Sequence, residues 1–169
     1  MNASAFSLSC LLSIIFLTNF IQSQTYKMIV HEECGVEFWI PPDWGHQIDE
    51  DLLIIQSPEE ELKLFFLTSG IQVLGQATDA LLEEISRVVT QPEVASVSRQ
   101  QEHNGLLYYT AQGFGLYLGD IVDWELRFVA GARKSLMIIA LGELETNRHT
   151  VEQIFDTIQL IKLESESRS

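Results

Sequence analysis

The sequence predicts an α+β domain in which a central antiparallel β-sheet is packed between helices. Several short runs alternate apolar and polar residues at period 2, the mark of half-buried strands. Two stretches, 79–90 and 147–159, instead repeat apolar residues at helical spacing. Runs of strands stand apart from the helices rather than alternating with them, which argues for α+β over a doubly wound parallel sheet.

The first 23 residues contain no Asp, Glu, Lys or Arg, and their middle is mostly apolar. The apolar stretch is shorter than the roughly 18 residues a membrane span requires, so it is expected to be the core of a secretory signal peptide. Small Ser23 offers a cleavage point. The n-region lacks Lys and Arg, so a retained N-terminal membrane anchor is the alternative. The expected organisation is a signal peptide over 1–23, one α+β domain over 24–163 and a polar tail over 164–169.

The remaining 146 residues are enough to bury a core without disulfide staples. They hold one cysteine, Cys34, expected as either a small buried residue or a free thiol able to pair between chains. Glu32 and Glu33 beside it should raise its pKa and keep it unreactive.

A first strand is expected over 26–32. After a turn at Cys34 and Gly35 comes a second, in which Val36, Phe38 and Ile40 alternate with Glu37 and Trp39. Pro41 and Pro42 remove two backbone donors and end the ladder there. Residues 44–50 read as a polar loop. Strands follow over 51–56 and 61–68, joined by a turn at Ser57 and Pro58. The first helix presents Leu81, Leu82, Ile85, Val88 and Val89 on one face, and Pro92 follows its end.

Asn104 and Gly105 then sit between two strand-like runs, 94–103 and 106–112, and specify a type I′ hairpin. Gly113, Gly115 and Gly119 predict a bulge or bend. Over 121–130, Val122, Trp124, Leu126 and Phe128 alternate with Asp123, Glu125 and Arg127. This is the clearest amphipathic strand in the chain. A strand over 135–141 returns, and the last helix turns Val151, Ile154, Phe155 and Ile158 inward. A short edge strand over 160–163 closes the order.

The strand ending in Phe38, Ile40 and Pro41, with Trp44 close behind, resembles the PsbP-like superfamily. So do the strand pair broken at Ser57 and Pro58, the Asn104-Gly105 hairpin and the helix ending in Ile154, Phe155, Asp156, Thr157 and Ile158. That superfamily includes the extrinsic photosystem II protein, a Ran-binding nuclear-import factor and many exported bacterial proteins. The resemblance covers about 26–163. It implies a sheet packed between helices in an α/β/α sandwich. It also implies a binding or accessory role, because members are generally not enzymes.

Nucleophile-elbow, zincin, Cys-x-x-Cys and Walker A patterns are all missing from the sequence. No catalytic residue, metal ligand or cofactor is therefore assigned. His31 and Glu32 point to opposite faces of a strand and do not converge. His46 lies near Asp43, Asp49 and Asp51, so the alternative function is a metal-dependent or acid–base enzyme built on that loop. His103 and His149 have no evident partner nearby in sequence.

Formal charge is −14, with 14 acidic against 4 basic residues over 24–100 and 10 against 6 from 101 onward. Nucleic acid and anionic lipid are disfavoured as partners, and a basic protein or a cation is favoured over them, the competing reading being that the charge only keeps the protein soluble. Apart from the export segment, no membrane contact is expected. The expected function is that of an exported, non-enzymatic binding or accessory protein, periplasmic or secreted, acting through protein–protein contact. Trp44, His46, Asp49 and Asp51 form the first candidate docking surface, an aromatic anchor in an acidic rim. The competing reading buries Trp44 as a lid on the core. Phe114 and Tyr117, in the glycine-rich stretch, form the second candidate surface.

Overall fold

The computed structural model describes residues 25–49, 52–70, 78–98, 100–130 and 134–161. The expected export segment, Asp51 and the polar tail lie outside the described residues. In chain order the elements are β1 (Lys27–His31), β2 (Val36–Ile40), β3 (Gly45–Asp49), β4 (Leu52–Gln56), β5 (Leu62–Ser69) and α1 (Thr78–Ile85). They continue with β6 (Thr90–Val97), β7 (Gln101–His103), β8 (Leu106–Tyr117), β9 (Asp120–Ala130), β10 (Ser135–Gly142), α2 (Leu144–Asp156) and β11 (Gln159–Leu160).

The strands form two antiparallel sheets. The larger runs in the order β3-β4-β5-β10-β9-β8-β6, with β7 also paired to β8, and the smaller runs β1-β2-β11. Alternation sets two faces on the large sheet. One carries Leu53, Leu64, Phe66, Ile138 and Val129, and it packs against Ile29, Val36, Phe38 and Ile40 of the small sheet together with α2. The Phe38 and Phe66 rings stack there at 4.6 Å. The other face buries Phe65, Leu67, Trp124, Leu126, Phe128 and Met137, with Ile85 of α1 and Val89 just beyond it.

This architecture corrects the expected α+β sandwich. Eleven strands and only two helices are present among the described residues. A second sheet, not a helical layer, shares the cover over one face of the large sheet. The helical cover is small because α1 spans eight residues, ending at Ile85 where the sequence reading continued to residue 90.

Two further corrections raise the strand content. Residues 45–49 are an edge strand, not a loop. They pair in register with β4 from Gly45↔Gln56 to Asp49↔Leu52. The bulge or bend expected at Gly113 and Gly115 does not interrupt β8, which runs unbroken to Tyr117. The expected irregularity falls on its neighbour β6, which shifts register twice against β8 between Thr90 and Ser96. Gly113 serves close approach: a Cβ there would collide with the Glu93 carbonyl oxygen and the Trp124 ring.

Other expectations hold. Asn104 and Gly105 take φ of 52° and 73°, as a type I′ turn requires. β9 alternates as read, pairing with β8 from Leu107↔Ala130 to Tyr117↔Asp120. The short closing strand, expected over 160–163, falls at Gln159–Leu160.

Candidate functional site

The first expected docking surface is taken apart by the fold. Trp44 is only 4% exposed and belongs to the core beside the small sheet. Its carbonyl oxygen accepts a hydrogen bond from Lys27 Nζ at 3.0 Å. His46 is exposed on the edge strand β3, on the same face as Ile48, which is 74% exposed. The backbone of Asp49 ends that strand; its side chain, like Asp51, lies outside what the structure describes. No group of three or more His, Cys, Asp or Glu side chains placed to hold a metal ion occurs among the described residues.

The second candidate pair is split. Phe114 and Tyr117 are three residues apart on one strand, so their side chains leave opposite faces. The Tyr117 ring meets Phe65 edge-on at 5.8 Å, on the face of the second core. Phe114 is 42% exposed and faces Asp123 across the β8–β9 pair.

Around Phe114 the fold assembles charges that the sequence reading did not join. Glu125, on β9, is 4% exposed. On an alternating strand it reads as a solvent-facing acid, but α2 lies over that face. Arg148 of α2 donates Nη1–H to Glu125 Oε2 and Nη2–H to Glu145. Gln112 Nε2 donates to the same Glu125 oxygen at 3.2 Å. One turn on, Glu152 takes both of its bonds from Arg127 Nη2 at 3.0 Å. The Arg127 guanidinium also lies 4.0 Å over the Phe155 ring. Arg148 has its pKa raised, chiefly by the hydrogen bond to Glu125.

The network lies between two clefts. The wider, about 510 Å³, is walled by Phe114, Asp123, Glu125, Glu143, Glu145 and Arg148. Its lining thus counts four carboxylates against one cation. The narrower, about 240 Å³, lies between the β7–β8 hairpin and the C-terminal half of α2, with Tyr108 and Arg127 in its wall. Asn104 fixes the hairpin tip there by donating from Nδ2 to the Asp156 and Ile158 carbonyls, each at 3.1 Å. A sequence signal for this site existed. Glu125 and Arg127 share a face of β9, and Arg148 and Glu152 sit at i, i+4 on α2, a matched set of two acids and two arginines.

Tyr108 and Tyr109 part as strand neighbours do. Tyr108 is buried at 6% exposure; Tyr109 is half-buried against the second core. Burial pushes the Tyr108 hydroxyl up to about 12. Cys34 is fully buried, and its thiol contacts Thr68 Oγ1 and the Ser135 carbonyl, each at 3.7 Å. Burial is the main cause that raises its pKa, with Glu33 a smaller one.

This arrangement of sheets and helices is the PsbP-like fold. The solution structure of cyanobacterial PsbP (CyanoP) from Synechocystis sp. PCC 6803 matches at a TM-score of 0.57 and 15% identity, over 80% of this chain and 92% of that one. A crystal structure from Bacteroides thetaiotaomicron matches at 0.52 and 11% identity, over 83% of this chain and 50% of that one. A protein of unknown function from Pseudomonas aeruginosa matches at 0.50 and 13% identity, over 78% of this chain and 94% of that one. No protein-family model matches the sequence. No curated protein matches it significantly. Among the described residues no helix is long and apolar enough to cross a membrane.

Proposed function

We propose that this chain is an exported, non-enzymatic accessory or binding protein that acts through protein–protein contact, and that its partner offers a basic segment to the Phe114 cleft. One observation carries the reading: the 42%-exposed Phe114 ring stands at an open cleft whose lining is acidic in sum. A large aromatic in an acidic setting suits a Lys or Arg side chain, through stacking on the ring and attraction to Asp123, Glu143 and Glu145. The charge of −14 would speed encounter with such a partner. The PsbP-like resemblance supports an accessory role, and the uncharged apolar segment over 1–23 supports export.

The test is photo-crosslinking in producing cells, with a benzophenone amino acid placed at position 114 and, as control, at position 46. A partner captured at 114 through a Lys/Arg-rich peptide, mapped by mass spectrometry, would support the proposal. Capture only at 46, or at 114 through an acidic peptide, would reject it. Intact-mass analysis of the native protein checks export: a mass that retains residues 1–23 excludes cleavage.

A further inference from the structure

We propose that the narrower cleft is a second binding site, for an uncharged amide or carbonyl group whose oxygen is held by the Tyr108 hydroxyl and the Arg127 Nε–H. Both groups are buried, and neither has a hydrogen-bond partner among the described residues. They belong to the same face of the sheet. Thr110 pairs with Arg127 and Tyr108 with Val129, so Tyr108 and Arg127 are diagonal neighbours across β8 and β9. Diagonal pairs lie within reach of long side chains. The sheet wall of the cleft therefore holds two desolvated donors, and leaving buried donors unpaired costs free energy that an incoming acceptor recovers.

The charges select the acceptor. Arg127 is already compensated by Glu152, which accepts twice at 3.0 Å, and it stands 3.9 Å from Glu125. Glu102 and Asp156 add further acid to the lining. An anion would meet net negative charge, whereas a neutral oxygen meets two free donors. The volume, about 240 Å³, far exceeds what one bridging water fills. The walls are already set: the Arg127 plane rests on Phe155, and His103 Nε2 and Asn104 Nδ2 reach the Asp156 carbonyl. Burial holds the Tyr108 hydroxyl protonated, so it remains a donor through neutral pH.

The experiment is an NMR titration of the full chain with acetamide, with acetate, and with a blocked tripeptide centred on Asn, following the Arg127 Nε–H resonance. Acetamide should give a saturable shift, and acetate should bind at least about tenfold more weakly. Tyr108→Phe, which removes only the hydroxyl, should weaken acetamide by up to about tenfold while leaving the fold intact. Equal saturation by acetamide and tripeptide supports the site and assigns it to a small free ligand. A tripeptide tighter by about tenfold or more supports it and assigns it to a peptide side chain. No saturable shift with either amide, acetate binding as well as acetamide, or unchanged acetamide affinity in the Tyr108→Phe protein would each overturn the proposal.

Discussion

Replacing Arg148 by Met should destabilise the protein through Glu125. The Glu125 side chain is 5% exposed and the Arg148 side chain 35%. Met keeps much of the aliphatic stem over the sheet and removes the guanidinium. A carboxylate left buried without its cation costs about 3–5 kcal/mol when burial is complete. Here the Gln112 amide remains at 3.2 Å and Arg127 at 3.9 Å, and Arg148 is partly solvated. The expected loss is therefore about 2 kcal/mol. Urea unfolding at neutral pH measures it: with a slope of about 2 kcal/mol/M, the midpoint should fall by about 1 M. In the background Glu125→Gln the charge is already gone, and the same Arg148→Met change should cost less than about 1 kcal/mol, a coupling of at least about 1 kcal/mol. A loss below about 0.5 kcal/mol, or an equal loss in both backgrounds, would refute the picture of Glu125 as a buried charge held by Arg148.

Trp44→Ala should cost about 3–5 kcal/mol and lower Tm by roughly 10 °C, as for any large buried aromatic; calorimetry showing a shift of only a degree or two would return Trp44 to the surface. Tyr108 contributes a pH dependence in the alkaline range. Its folded pKa of about 12 stands above the ordinary 10.0, so between these values the unfolded chain loses a proton that the folded one keeps. Stability should therefore fall by about 2–3 kcal/mol as pH rises through that window, and Tyr108→Phe should abolish most of the fall in urea titrations at pH 9 to 12. Cys34, fully buried with a raised pKa, should react with a chromogenic disulfide reagent no faster than the protein unfolds; immediate labelling of the native chain would contradict its placement.

What the sequence disclosed depended on where each residue's burial came from. Strands with regular apolar–polar alternation announced themselves, as β9 did with Val122, Trp124, Leu126 and Phe128. Asn104 and Gly105 fixed their turn because few residues accept positive φ at both positions. The edge strand β3 gave no such sign. His46, Gln47 and Ile48 are all exposed, so nothing alternates, and the segment reads as a loop. Gly113 and Gly115 misled for a different reason. Their missing side chains make room for Trp124 and Val89, contacts brought by other parts of the chain. The candidate site was the least legible. Glu125 and Arg127 lie on the polar face of β9, and only the docking of α2 turns that face inward. Phe114 alone was foreseen there, and for its aromatic character rather than for its neighbours.

The most direct test of the Phe114 cleft as a docking site is the affinity of the full chain for the basic partner captured through position 114, measured for the parent and for Phe114→Ala at two salt concentrations. With the ring 42% exposed, its removal should leave Tm nearly unchanged and weaken binding by about tenfold or more. Raising ionic strength from about 0.05 to about 0.3 M should weaken parent binding further, because Asp123, Glu143 and Glu145 at the cleft are solvent-exposed and screened. Parent-like affinity in the Phe114→Ala protein, or binding indifferent to salt, would contradict the account.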